Sequence, residues 1–132
     1  MNLESQVAPL AEALRMKELG FPQDTKFTWW RTLPDGKPQV EGPVGGYYES
    51  HEFEALCAAP TVAEMGEWMP RSIGEYGLEV TAWESGVWNL SYFDEKGNTL
   101  DHYGTGSSEA ESRARLLIAL AEAGALDVKG LK

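Results

Sequence analysis

The chain has 132 residues, of which 42% are hydrophobic and 24% charged, and its formal net charge is -10. These values fit one folded domain with one core, and they exclude a disordered or fibrous chain. No window approaches the roughly 18 consecutive apolar residues of a membrane-spanning helix, and the N-terminus lacks the basic start and apolar stretch of a signal peptide. A single cysteine, Cys57, cannot form an internal disulfide, so the sequence favours the cytoplasm.

The acidic excess is concentrated in the middle of the chain. Residues 47–101 contain eleven Asp and Glu residues, and their only basic partners in sequence are Arg71 and Lys96. A negative field repels phosphate backbones and attracts cationic surfaces, so we expect no direct nucleic-acid binding, whereas binding to a basic protein surface is permitted. The alternative is that the charge serves only to keep the protein dispersed.

A helix is predicted over residues 9–19, where apolar side chains recur at helical spacing. Pro9 suits its first turn, because the backbone N–H that proline lacks would have no helical partner there. Gly20 follows the last apolar position and is typical of a helix end. This segment therefore has both a start and a stop signal.

The next segment, 26–33, alternates in the manner of a strand and places Trp29 and Trp30 on opposite faces. Pro34, Asp35 and Gly36 then predict a turn. Two further short strands, separated by a loop rich in Gly and Pro, are predicted at 39–41 and 47–49.

The clearest local signal is a short helix over residues 61–69. Thr61 and Glu64 form a capping box at its start, and Pro70 ends it. Whether the preceding residues 52–58 form a helical turn stays open, because the run is short.

The last part of the chain predicts strands followed by a helix. Three strand-like runs, 78–84, 86–93 and 98–104, are joined by short turns and indicate an antiparallel meander. A helix over 108–123 begins with a capping box, and the tail 127–132 is expected to fray. The fold class predicted for the single domain 1–132 is α+β: a twisted antiparallel sheet of about four to five strands, covered on one face by N-terminal, central and C-terminal helices.

No catalytic residue, metal site or cofactor is predicted. His51 and His102 are the only histidines, and neither has a neighbour at a recognised ligand spacing. Cys57 lies among apolar residues, which favours a buried, inert thiol. An alternative remains, in which both histidines and nearby carboxylates form the cleft of a small hydrolase or ligand-sequestering protein beside Tyr47 and Tyr48.

The aromatic content, 11% of the chain, is the unusual feature. One face of a sheet cannot bury both Trp29 and Trp30, so some rings are expected to be exposed, as aromatic side chains are at interfaces. The alternative is that the 39–49 segment or another loop covers the second face. The candidate binding residues are Trp29, Trp30, Tyr47, Tyr48, Trp83 and Trp88.

Four segments resemble those of a known group of proteins. They are an Asn-Leu-x-x-Gln-Val run at 2–7, Lys-Glu-Leu-Gly at 17–20, Thr-Val-Ala-Glu-x-Gly-Glu-x-x-Pro at 61–70, and a run similar to Ala-Arg-x-Leu-Leu-Ile-x-Leu at 113–120. They are distributed from residue 2 to residue 120 and resemble segments of small phage- and prophage-encoded proteins of no assigned function. The resemblance implies a compact protein made in a bacterial host cell, and it implies neither an activity nor a ligand.

These features favour a noncatalytic binding or interaction module that engages a host or phage protein. Small acidic phage proteins often occupy the surface of a host protein, which agrees with the acidic middle segment. Self-association through an uncovered sheet face or edge is a further alternative, and no membrane contact is predicted.

Overall fold

A computed structural model describes residues 3–32, 36–41 and 53–131. Within these ranges the chain forms three α-helices, seven β-strands and two short 3-10 helices. The helices are α1 (Leu10–Leu19), α2 (Val62–Trp68) and α3 (Glu109–Glu122), and the 3-10 helices are Leu3–Gln6 and Val128–Gly130. The strands are β1 (Thr28–Thr32), β2 (Pro38–Glu41), β3 (Phe53–Ala58), β4 (Ser72–Ile73), β5 (Tyr76–Ala82), β6 (Trp88–Phe93) and β7 (Thr99–Gly106).

The strands form two antiparallel sheets, which confirms the predicted α+β class. The first sheet has the order β2-β1-β3 and the second the order β4-β5-β6-β7. The sequence predicted one sheet of four to five strands, and the structure divides the strands between two. The alternating pattern within a strand does not identify the strands that pair with it, since pairing is decided by contacts between distant segments.

The local predictions match the described elements closely. All three predicted helices form, and α2 has its capping box: the Glu64 backbone N–H donates to the Thr61 hydroxyl, while the Glu64 carboxylate accepts from the Thr61 N–H. The undecided segment 52–58 contributes strand β3. The predicted strand at 47–49 lies outside the described residues, as do Pro34 and Asp35 of the predicted turn.

Both sheets contribute to one hydrophobic core. Leu116, Leu117 and Leu120 on α3 are fully buried, and their cluster includes Trp29 from the first sheet and Leu90 from the second. Because one core joins the two sheets, we expect the described chain to unfold as one cooperative unit. The tail expected to fray contains the 3-10 helix Val128–Gly130. None of the helices in the described ranges is long and apolar enough to cross a membrane.

Candidate binding surface

One face of the four-stranded sheet is covered by helix α3. Leu90 and Tyr92 in β6 point toward this helix and are fully buried. The Tyr92 hydroxyl donates a hydrogen bond to the backbone oxygen of Pro70 at 2.7 Å. Burial raises the pKa of Tyr92 to about 12 and outweighs the positive charge of Arg113, which lowers it. The phenol therefore keeps its proton and remains a donor at neutral pH.

Two glycines let α3 lie directly on β7. A Cβ atom on Gly104 would stand 1.9 Å from the backbone oxygen of Ser112 and 2.7 Å from the backbone nitrogen of Leu116. At Gly106 it would stand 2.5 Å from the Glu111 carboxylate. The Ser112 hydroxyl also donates to the Trp88 backbone oxygen, so the helix is bonded as well as packed to this face.

The opposite face of the sheet points away from α3. Side chains alternate along a strand, so residues adjacent to the buried Leu90 and Tyr92 lie on this second face. The strand register aligns them in rows: Glu79, Ser91 and Tyr103 in one, and Thr81, Asn89 and Thr105 in the next. We call this surface the open face, and its residues are Glu79, Thr81, Trp83, Val87, Asn89, Ser91, Tyr103 and Thr105.

Two aromatic rings project from the open face. Trp83 is 54% exposed and Tyr103 is 61% exposed, which makes them the large aromatic side chains that stand mostly in solvent among the described residues. Tyr103 lies on β7 and Trp83 directly follows the end of β5, two rows away, so their backbones are separated by roughly 15 Å. That spacing would let both rings contact a single partner.

A hydrogen-bonded polar strip lies between these rings. The Thr105 hydroxyl donates to the Asn89 side-chain oxygen at 2.9 Å, and the Asn89 amide donates to the Ser91 hydroxyl at 3.0 Å. Each side chain is therefore held in one orientation before any partner arrives. A fixed polar strip reduces the conformational entropy that binding would otherwise cost.

The charge on and beside the open face is negative. Glu79 lies on it, and Glu84 is exposed in the turn after β5. Arg115 borders the β7 edge, but it pairs with Glu12 at 3.2 Å and with Glu111 at 3.4 Å. This surface is therefore complementary to a cationic partner.

Comparison with models of protein families, with curated proteins and with solved structures finds no match. The chemistry of the surface therefore carries the functional inference.

The prediction that Trp29 and Trp30 form a binding surface is wrong. Trp29 is 6% exposed and belongs to the core, where its indole N–H donates to the Ala8 backbone oxygen at 2.9 Å. Trp30 is 1% exposed, although it points to the other face of the strand. Successive side chains Thr28, Trp29 and Trp30 of β1 are all buried, so alternation along this strand leaves neither ring in solvent.

The other predicted binding residues have different outcomes. Trp83 lies on the open face, whereas Trp88 pairs with Ala82 and Gly106 and shares the α3 side with Leu90. Tyr47 and Tyr48 lie outside the described residues, together with His51. The sequence-based selection missed Tyr103, although alternation along the 98–104 run could have separated it from the buried Gly104.

The titratable residues that could carry chemistry lie apart in the described chain. Within the described ranges, no group of three or more His, Cys, Asp and Glu side chains is placed to hold a metal ion. His102 is half-buried on β7. Cys57 is buried, and burial raises its pKa to about 11, which outweighs the lowering effect of Lys17. A thiol with this pKa is protonated at neutral pH and is a poor nucleophile.

A polar cavity of about 500 Å³ lies at the turn between β6 and β7, lined by Glu75, Asp94, Glu95, Lys96 and Asn98. The Asp94 carboxylate of this cavity already accepts hydrogen bonds within the turn. Asp94 accepts hydrogen bonds from the Asn98 side chain and from the backbone N–H groups of Asn98 and Lys96, and these bonds lower its pKa. The cavity is therefore explained by the turn that surrounds it.

Proposed function

We propose that this chain is a noncatalytic binding module that engages a basic host or phage protein through the open face. The observation that carries the proposal is the pair of exposed rings, Trp83 and Tyr103, on either side of the ordered polar strip. The resemblance to phage and prophage proteins and the single cysteine support a site of action in the cytoplasm of a bacterial host.

Exposed aromatic rings are favourable anchors for a protein interface. They bring a large contact area with few rotatable bonds, and each buried anchor is typically worth about 2 kcal/mol or more of binding energy. In the strip between them, Asn89 and Thr105 are half-buried and supply oriented polar groups that a partner's backbone can meet. Ser91 is buried and orients Asn89. Tyr103 and the polar strip lie on strands, which hold them more rigidly than a loop would. Trp83 directly follows β5, and its backbone N–H donates to the Val87 oxygen at 2.9 Å.

The electrostatics support a basic partner over an acidic one or a nucleic acid. The chain carries a net charge of -10, and residues 47–101 hold most of the excess. Opposite charges steer the encounter, so association should weaken as added salt shortens the screening length. Phosphate backbones would be repelled by the same field.

The experiment compares capture from a bacterial lysate by three forms of the immobilised protein. The wild type and the control Leu14→Ala, which truncates an exposed side chain on α1, should retain the same partner. The double variant Trp83→Ala/Tyr103→Ala should lose it, with about a hundredfold or greater loss of affinity if both rings are anchors.

Two results would contradict the proposal. Retention of the same partner by the double variant would show that the open face is not the interface. Absence of any retained protein, together with turnover of a small molecule that disappears in a His51→Ala/His102→Ala variant, would favour the hydrolase alternative instead.

A further inference from the structure

Strand β5 has an edge that is paired for only part of its length. The neighbouring strand β4 contributes two pairs, Ser72 with Gly77 and Ile73 with Tyr76. One more hydrogen bond extends this pairing, from the Leu78 N–H to the Arg71 oxygen at 3.1 Å. Beyond it, along residues 79–82, no strand of the described chain lies on that side of β5.

The register shows which backbone groups face this edge. The Trp83 N–H donates to the Val87 oxygen at 2.9 Å across the β5-β6 turn, so Trp83 directs its backbone groups toward β6. Alternate residues of an antiparallel strand direct theirs to opposite sides. The N–H and C=O groups of Val80 and Ala82 therefore point away from β6, and Val80 is 40% exposed.

Individual contacts or a proline occupy part of three other sheet edges in the described chain, those of β7, β3 and β2. Arg115 donates to the Thr105 oxygen on the β7 edge at 2.8 Å. Lys17 donates to the Leu56 oxygen on the β3 edge at 2.9 Å, and the adjacent Ala58 N–H donates to the Gln23 side chain at 2.8 Å. Strand β2 begins at Pro38, which has no N–H to offer. Proteins ordinarily protect edges in these ways, because an open edge is a template for another strand.

We propose that the β5 edge at residues 79–82 binds an extended segment of the partner by strand addition, and that this segment alternates apolar and basic residues. The inference rests on the proposed function, because it specifies the backbone conformation of the partner that is proposed to bind the open face. Apolar side chains of the added strand would lie on the face of Val80 and Ala82. Basic side chains would lie on the side of Glu79, which is the open face.

Charge favours a foreign basic segment over a second copy of this chain. Residues 79–84 contain Glu79 and Glu84 and no basic residue. Pairing two β5 strands would bring these carboxylates together between chains that each carry a net charge of -10. Like charges on facing strands are destabilising, whereas opposite charges stabilise such pairs.

The test uses a short labelled peptide of alternating lysine and valine, with fluorescence anisotropy as the readout. Val80→Pro removes an N–H that points to the free edge and leaves the hydrogen bonds to β6 in place. It should raise the peptide Kd at least about tenfold, as expected for the loss of one backbone hydrogen bond and the clash of the ring. Val80→Ala keeps the N–H and should change the Kd less than about threefold.

Peptide variants test the same contact without altering the protein. A strand added at one edge uses the N–H groups of alternate residues, which in this peptide are either all of its valines or all of its lysines. Methylating the backbone nitrogens of one residue type should therefore abolish binding, and methylating those of the other type should not. A glutamate and valine peptide should not bind. Equal binding of both methylated peptides, equal effects of Val80→Pro and Val80→Ala, or binding of the acidic peptide would each overturn the inference.

The outcomes separate this inference from the proposed function. If the wild type does not bind the peptide, or if Trp83→Ala/Tyr103→Ala weakens binding while Val80→Pro does not, the edge inference fails and lysate capture still decides the proposal for the open face. A concentration-dependent dimer in sedimentation that Val80→Pro abolishes would assign the edge to a second copy and overturn the basic segment.

Discussion

Gly104 controls how closely α3 approaches the sheet, because the space that a side chain would fill is occupied by the helix backbone. Backbone atoms cannot move aside as the end of a flexible side chain can.

Gly104→Ala should lower the free energy of unfolding by about 3 kcal/mol, because its Cβ would lie 1.9 Å from the Ser112 oxygen and force helix and strand apart. The matched control is Gly77→Ala on β5, where a Cβ meets nothing within 4 Å. That control should change stability by less than about 1 kcal/mol. Urea denaturation measures both, and similar losses in the two variants would contradict the close contact.

Cys57 provides a pH-dependent prediction. Its pKa rises from 9.0 to about 11 on burial, so below pH 9 the thiol is protonated in both the folded and the unfolded chain. Between these values the unfolded chain loses the proton first, and stability should fall as pH rises. Comparing the unfolding free energy of wild type and Cys57→Ala from pH 8 to pH 11 isolates this loss. Tyr92 contributes in the same direction to both proteins, so an identical slope in the two would contradict the prediction.

At the scale of elements, local sequence signals predicted most of what formed. The capping residues Thr61 and Ser108 correctly marked the starts of α2 and α3, because a cap depends on residues three positions away. Residues 53–58 were the ambiguous case, and they form β3 by pairing with β1, across more than twenty residues of chain. A short apolar run carries too little periodicity to decide between helix and strand without such a partner.

The edge strands also show which features the sequence reveals and which need the structure. Pro38 at the start of β2 can be recognised in the sequence as an edge residue. The protection of β3 by Lys17 and of β7 by Arg115 cannot, because both side chains come from distant helices. The unprotected part of β5 is visible only once every other edge has been assigned.

For the whole molecule, the continuous core predicts cooperative unfolding of both sheets. In a Trp83→Phe/Trp88→Phe background, tryptophan fluorescence reports on Trp29 and Trp30 in the first sheet and on Trp68 in α2, while far-UV circular dichroism follows all elements. Their denaturation midpoints should coincide in a two-state transition. This background removes the indole after β5 and the indole in β6, so no tryptophan of the second sheet contributes to the signal.

Leu120→Ala extends this test, since Leu120 is fully buried in the common core. It should cost about 2 to 5 kcal/mol and shift both midpoints together. A shift confined to one probe would show that the two sheets unfold separately.

The sequence by itself determined the α+β class, the three helices, the meander and the acidic charge. These properties follow from composition and from spacings of a few residues, and such local effects do not depend on where a segment lies in the fold. Only the tertiary structure decided that Trp29 and Trp30 are both buried, that Trp83 and Tyr103 share an exposed face, and that β5 has a free edge. Burial and strand pairing depend on which distant segments meet, and local periodicity does not encode those meetings.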